Sequence, residues 1–530
     1  MKKVLILFAT ISIIGGGCAK DYLSSLQNNP NAPTTDAATP PLILPGAITG
    51  ISSIVNDFGS YQNEAEWIGY WNGQPGYGAF NNIFDYNMTN SSPQLWDNYY
   101  GVLTNLNVMV QQSSTTAYSN YRDIANILEA ICFQNLVDLY NDIPYTEALK
   151  GSGDFYPKYD HASDIYDSLT AKLDVAMADI NANLNNLAVT TPGSDDVMFG
   201  GNMQNWLQFA NAVKLRLLVR ESNVSTKQSY IASEITKTAS LGYLAVDALV
   251  NPGYTAAKPD NIWANFGVSP SGSINAGTGE FGANQAAIDF YAATQDVRLG
   301  YFYGSKNILP NDANFYNYPD SLLANFAQYV SQYAGNYTGK QQAVTGGSSD
   351  VGPGIIQNPG QSAVMMLAAD SYFNQAEATV RGWLPGGNAG AQTLYQAGIT
   401  KSYEYLGVGG SISAADAYAA AYYGQNIGYV AFPVGASTDS LVHTILEQKW
   451  AALNGINIEE PYADWRRTFD ASLNSGYPLV PGSISPSRAN AYMPFRYLYP
   501  TEEQNNNNAA WTAAGGATIN VFTSKIFWMQ

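Results

Sequence analysis

The chain has 530 residues and a formal charge of −18, with 42 acidic and 24 basic side chains. An acidic balance of this size excludes nucleic acid and anionic membrane surfaces as primary partners, since both select basic patches. Charged residues make up only 12 % of the chain, against about 25 % in an average soluble protein, so Asn, Gln, Ser, Thr and Tyr must build most of its polar surface.

Residues 1–17 read as a processing segment. Lys2 and Lys3 form a short positive region, and Val4 to Ile14 form an apolar run. That run is shorter than the ~20 residues a membrane-spanning helix needs. Gly15-Gly16-Gly17 then leads into Cys18. Small residues ending at a cysteine resemble a lipobox, with Gly15 standing where the usual pattern has Leu. The expectation is a lipoprotein-type signal peptide with lipid attached at Cys18; the alternative is an ordinary secretory signal with an incidental cysteine. The one other cysteine, Cys132, lies between Ile131 and Phe133 in an apolar helical pattern and reads as a small buried hydrophobe. An export signal without a disulfide framework leaves stability to the core, which a chain of this length can build. Residues 18–40 are polar and rich in Asn, Pro, Thr and Ala, and read as a lipidated N-terminus and flexible tether. Residues 41–530 are then a single domain, in which no run is long and apolar enough to span a membrane.

An apolar period of 3.6 residues marks 123–140 through Ile124, Ile127, Leu128, Ile131, Leu136 and Leu139. In 163–180, Ser163 is the expected N-cap before Ile165, Leu169, Leu173, Met177 and Ile180. Window 204–221 carries Trp206, Ala210, Val213 and Leu217 on one stripe. Window 363–383 carries Met365, Ala369, Phe373, Ala376 and Val380, and stops at Pro385-Gly386-Gly387. Windows 390–406 and 438–454 are helical with less regular periods. Ala376, Ala378, Ala391 and Ala397 permit close antiparallel packing of 363–383 on 390–406. Between the helices lie Gly/Asn/Tyr-rich stretches at 69–94, 251–285, 304–360 and 470–525. Structureless stretches of that length are uncommon and are usually functional or disordered. The expected fold is all-α: paired helices in a degenerate helix-turn-helix array, wrapped by irregular loops, with at most short strands.

Five segments, taken in order, resemble the SusD/RagB family of outer-membrane nutrient-binding lipoproteins, in its SusD-like branch. The first is Asn135-Leu136-Val137-Asp138-Leu139-Tyr140-Asn141-Asp142-Ile143-Pro144-Tyr145-Thr146-Glu147-Ala148, where Pro144 ends a helix. The second is Val197-Met198-Phe199-Gly200-Gly201, leading to Trp206 and Asn211-Ala212-Val213-Lys214-Leu215-Arg216. The third is Asn374-Gln375-Ala376-Glu377-Ala378, followed by Arg381-Gly382-Trp383 and Tyr395-Gln396-Ala397-Gly398-Ile399. The fourth is Ile445-Leu446-Glu447-Gln448-Lys449-Trp450, then Asp464-Trp465-Arg466-Arg467-Thr468. The fifth is Phe495-Arg496-Tyr497-Leu498-Tyr499-Pro500, then Glu502 and Asn505. The resemblance implies a scaffold of tetratricopeptide-like helix pairs forming an α-α superhelix, with a loop-built ligand face. It also implies a lipid-anchored place on the outer membrane at the cell surface. There the protein would bind glycans and deliver them to a SusC-like TonB-dependent transporter, with no catalytic activity of its own.

Most motif residues read as scaffold. Glu377, Arg381, Glu447, Lys449, Arg466 and Arg467 are expected in ion pairs, and Trp206, Trp383, Trp450 and Trp465 as core anchors. Ligand-binding rings are expected where the helical period fails, because glycines there let backbone approach a ligand and leave rings standing free. The 66–80 segment offers Trp71 and Tyr77; the 251–285 stretch offers Trp263 and Phe266, with Tyr254, Asn265 and Phe281 nearby. Aromatic faces stack on sugar C–H faces and amides bond hydroxyls, which suits a neutral glycan; composition does not separate glycan from peptide. His161 and His443 stand apart from any Ser, Cys or acidic cluster, which argues against a nucleophile–histidine triad or a His-based metal site. A glycoside hydrolase needs only two carboxylates, but the distinctive acids lie in the helical motifs. Asp195-Asp196 and Asp154/Asp160 are the candidate ligands for a structural Ca²⁺, without an ordered oxygen-ligand loop. No cofactor is expected.

Overall fold

Pro40 sits in the first turn of helix α1 (Pro40–Val55), where its fixed φ suits the helix and its missing N–H costs nothing. The computed structural model describes residues 38–529 except 58, 75–80, 92–94, 307, 317–324 and 341–346. Cys18, the signal segment and nearly all of the tether therefore lie outside the described residues. Helix α1 buries Leu44, Ala47, Ile48, Ile51 and Ile54 and packs on α2 (Leu95–Gln112). A Cβ at Gly50 would stand 3.0 Å from Val102, so the glycine sets how closely the pair approaches. Neither helix was expected: prolines and glycines interrupt the apolar period of α1, and Tyr and Asn dilute that of α2.

Helix α3 (Ser119–Tyr140) is buried along nearly its whole length, as a helix surrounded by protein must be. Cys132 is buried within it. Helices α4 (Ala162–Asn183), α5 (Met203–Arg220) and α6 (Gln228–Thr238) follow, and then, after the loop-rich middle, α7 (Ala368–Val380), α8 (Gly387–Tyr405), α9 (Ile412–Tyr423), α10 (Thr438–Ala452) and α11 (Glu459–Arg467). Neighbours pack side by side from α1 to α5; α7 then joins α5 to α8 and α10, giving the expected all-α scaffold of helix pairs. The α7–α8 contact closes on a glycine: a Cβ at Gly398 would lie 2.9 Å from the Phe373 ring.

Strands among the described residues are short and pair antiparallel: β1 (Trp71–Gly73) with β5 (Phe281–Ala283), β2 (Ile143–Pro144) with β3 (Tyr159–Asp160), and β4 (Ala248–Val250) with β6 (Ala363–Met366). Strand β6 corrects the expected helix over 363–383, which begins only at Ala368. Residues 363–366 are apolar and fully buried, a run that a short interior strand and a helix produce alike. The N-cap of α4 is also corrected. His161, not Ser163, occupies that position and makes no side-chain cap, and Asp142 accepts the Ala162 N–H at 2.9 Å instead.

The motif residues explain themselves at the end of α3. The last carbonyls of a helix lack intrahelical partners, and here each finds one. Val137 O accepts the Asn141 N–H at 2.8 Å, with Asn141 at φ 68°. Asp138 O accepts from the Arg466 guanidinium, Leu139 O from the Tyr497 N–H at 2.8 Å, and Tyr140 O from Arg496. The first, fourth and fifth motifs are thus one C-terminal cap assembled from three distant segments.

Charged motif residues meet in a second buried assembly. Glu460 takes Arg216 at 3.2 Å and Arg220 at 2.8 Å; Lys449 lies 3.1 Å from Asp370 and 3.0 Å from Asp464. Arg467 grips Glu377 at 2.7 and 2.5 Å and Asp464 at 2.8 Å, while Arg381 adds to Glu377 at 2.8 Å. Arg466 pairs with Glu459 at 2.7 Å. Glu447 departs from the ion-pair expectation and accepts the Leu479 N–H at 2.7 Å. Trp206, Trp450 and Trp465 are buried, whereas Trp383 is half-buried in a small satellite cluster.

Burial holds the carboxyls of Glu64, Glu447 and Asp350 up at about 7. Their unfolded value is near 4.3 or below, so between about pH 4.5 and pH 8 the folded state binds more protons than the unfolded one. Stability therefore falls as pH rises through that window. The charge partners of Glu377 and Asp464 lower their pKa, so these acids add a loss only in stronger acid. The expected result is a melting temperature several degrees higher at pH 5 than at pH 8. A higher value at pH 8 would contradict the buried, proton-holding state of these acids.

Candidate ligand-binding face

The stretches 69–94, 251–285 and 304–360 fold onto one another through uncharged amides and hydroxyls. Strand β1 pairs with β5 in the register Trp71↔Ala283. Asn72 Nδ2 donates to Lys340 O at 2.8 Å, Asn284 Nδ2 to Thr338 Oγ1 at 2.9 Å, and Thr338 Oγ1 to Glu66 O at 2.6 Å. Gln74 Nε2 donates to Asp350 Oδ1 at 2.8 Å, joining the early stretch to the late one.

The structure brings Trp71, Trp263 and Phe266 into one region, and where free-standing rings were expected all three are buried, Trp71 to 1 % exposure. Trp71 meets Phe266 edge to face at 5.1 Å, and Phe266 meets Phe281 at 6.1 Å. The Trp263 indole donates to Val268 O at 3.1 Å. The physical reason lies in the glycines. A Cβ at Gly267 would stand 2.5 Å from the Trp263 ring and one at Gly455 2.6 Å from the Trp71 ring, so these glycines bring backbone against the rings. Tyr77 lies outside the described residues. Tyr254 and Asn265 are half-buried at the edge of the knot.

An open cavity of about 300 Å³ lies in the same loop-built half. Ser305, Ile308, Phe315, Tyr329, Gln332 and Tyr333 line it, and among the described residues no charged side chain does. Tyr329 is fixed: its hydroxyl donates to Val297 O at 2.8 Å and accepts the Gly300 N–H at 2.6 Å. Gly300 makes the room, because a Cβ there would collide with the hydroxyls of both Tyr329 and Tyr333. Gln332 is exposed; its backbone carbonyl accepts the Lys306 N–H at 2.9 Å and its side-chain oxygen faces Ser305 Oγ at 3.4 Å. The sequence marked the 304–360 stretch but none of these residues, since an aperiodic loop gives no signal for which rings face a cavity.

The other candidates resolve into structural roles. Asp196 accepts the N–H groups of Met198, Phe199 and Gly201 and the Trp206 indole, which shapes the Phe199-Gly200-Gly201 turn. Asp195 accepts from Gly193 N and Tyr121 Oη. Asp160 accepts from Tyr145 N, Thr146 N and Thr146 Oγ1, and Asp154 from Tyr156 N. His443 stacks on Tyr477 with centroids 3.4 Å apart, and His161 is exposed 3.4 Å from Asp142. Among the described residues, no three His, Cys, Asp or Glu side chains are grouped to hold a metal.

Helix pairs thus carry a loop-built half whose cavity is lined by no charged side chain among the described residues. The SusD-like family described as "Starch-binding associating with outer membrane" matches residues 30–500, and the chain belongs to that family. Solved structures agree on the fold. The chain is similar to a protein titled a chitin-binding protein (TM-score 0.71, 23 % identity, 92 % of this chain and 99 % of that one). It is similar to a chitin-binding SusD homologue from Flavobacterium johnsoniae (TM-score 0.69, 21 % identity, 92 % and 98 %). A SusD homologue from Bacteroides fragilis gives a TM-score of 0.71 at 19 % identity over 93 % and 100 % of the two chains. No curated protein matches the sequence. The family is one of binding proteins associated with the outer membrane, not of enzymes.

Proposed function

We propose that this chain is a cell-surface lipoprotein, anchored to the outer membrane through Cys18, that captures neutral oligosaccharides and delivers them to a SusC-like TonB-dependent transporter. The observation that carries the reading is the cavity at Ser305–Tyr333: tyrosine and phenylalanine walls, an open amide at Gln332, and no charge among its described lining residues. Such a surface offers stacking and hydrogen bonds to hydroxyls and nothing to a charged ligand. Trp71, Trp263 and Phe266 serve this face as its frame, and Tyr77, from the same segment as Trp71, is a further proposed contact ring. Stacking on an aromatic side chain is worth ~1–3 kcal/mol, taking nucleobases as the scale. Tyr333 is 8 % exposed and presents only an edge, so Tyr333→Ala should weaken binding of a neutral oligosaccharide at the low end of that scale, about five- to tenfold, and Gln332→Ala a few-fold. Calorimetry on both variants, with circular dichroism to verify folding, is the test; wild-type affinity in both would remove the cavity from the reading.

The anchor is tested separately. A fatty-acid analogue should label the wild type and not Cys18→Ala, which should leave the membrane fraction as a folded protein. An unlabelled wild type would overturn the lipoprotein assignment and leave the binding assignment untouched.

A further inference from the structure

A second concavity, of about 390 Å³, lies on the scaffold side, between the first half of α2, the β2–β3 turn and the segment after Pro500. Tyr100, half-buried, forms its floor, backed by Trp96, which is 5 % exposed. Tyr100 is held by its hydroxyl, which donates to Pro144 O at 2.6 Å, and its ring lies 5.1 Å from that of Trp96. Leu149, Phe155 and Pro157 make an apolar wall, and Phe155 is 71 % exposed. The remaining walls carry two carboxylates, Asp97 and Glu503.

The charge here is one-sided. Among the described residues no Lys or Arg lines the groove, and the nearby Lys158 lies 3.7 Å from Glu147. Glu503 accepts from Tyr159 Oη at 2.6 Å and Asn507 Nδ2 at 3.4 Å, which are neutral donors. Asp97 is exposed. Burial and then the charge of Glu502 raise the Asp97 pKa, as expected of a carboxyl near another acid without a cation. A folded surface that spends aromatic area and two carboxylates on one groove and supplies no counter-charge is matched by a ligand with an apolar face and a positive group.

We propose that this groove is a second binding site, distinct from the uncharged cavity, and that it takes saccharides bearing a free, protonated amine. The half-buried Tyr100 ring and the exposed Phe155 ring suit the C–H face of a sugar ring, with the buried Trp96 behind Tyr100, while Asp97 and Glu503 pair with the ammonium. A slender lysine chain would leave most of the Tyr100–Phe155 surface uncovered, so the amino sugar is the better fit. The site differs in charge from the first, so its affinity should fall with salt while that of the first should not change.

The test is calorimetry on the mature chain with a glucosamine tetramer, its N-acetylated counterpart and a lysine-containing tripeptide. The glucosamine tetramer should bind, with affinity falling steeply as salt rises. Asp97→Asn should weaken it at least fivefold. Gly101→Trp, which fills the groove from an open position on α2, should abolish it. Ser305→Trp, which fills the first cavity, should leave it unchanged, so failure of one site is distinguishable from failure of the other. Absence of binding would overturn the proposal, as would binding that survives both groove variants or binding of the lysyl peptide in preference to the amino sugar.

Discussion

Arg467→Met should cost about 3–5 kcal/mol of stability, because it leaves a buried carboxylate without its main partner. Arg467 is fully buried and holds Glu377 through two nitrogens and Asp464 through a third. After the substitution Asp464 keeps Lys449, but Glu377 is left with Arg381 alone. Met restores most of the volume, so the loss reads the electrostatics and not a cavity. Glu377→Gln added to Arg467→Met should recover part of it, since the stranded charge is then gone; the coupling between the two is what a double-mutant cycle measures. Denaturant unfolding of the two single variants and the double variant is the measurement. A single-variant loss below about 1 kcal/mol would show that the assembly is hydrated and flexible.

Trp71→Ala should cost a similar amount, about 3–5 kcal/mol, by leaving a cavity where the ring now packs between Phe266 and the Gly455 backbone. The substitution separates two roles cleanly. A ring that stacks on ligand would give weaker binding at unchanged stability. A ring that frames the loops gives an unfolding midpoint shifted far down, with the β1–β5 pairing loosened. The structure predicts the second pattern, read by thermal unfolding beside a binding titration on the same sample. An unshifted midpoint would return Trp71 to the ligand surface.

These two residues also show how much of the molecule was legible in its sequence. Arg467 was assigned to ion pairs, and it makes them, because opposite charges at helical spacing in an apolar context have few other solutions. Helices α3, α4, α5 and α7 were visible through their 3.6-residue stripes, α7 with its start set too early, and α8 and α10 through less regular ones; the family motifs supplied the rest of the architecture. Helix α1 was not visible, since Pro41, Pro45, Gly46 and Gly50 hide a stripe that tertiary packing makes helical anyway. The 363–366 strand was hidden for the opposite reason, as a short apolar run reads equally as helix. Trp71, Trp263 and Phe266 were expected to stand free, and the fold buries their rings instead. Glycine next to tryptophan signals close approach, and sequence does not say whether the approaching group is a ligand or the chain's own backbone. The lining of the cavity was illegible, because Ser305, Phe315, Gln332 and Tyr333 converge only through the folding of an aperiodic loop.

The central claim is that the uncharged cavity holds a neutral oligosaccharide. Its most direct test is calorimetric titration of such an oligosaccharide into the wild type and into Ser305→Trp, at low and at high salt. Binding by the wild type that is indifferent to salt and lost on filling the cavity is the predicted result. Affinity that survives Ser305→Trp, or that falls steeply with salt, would contradict it.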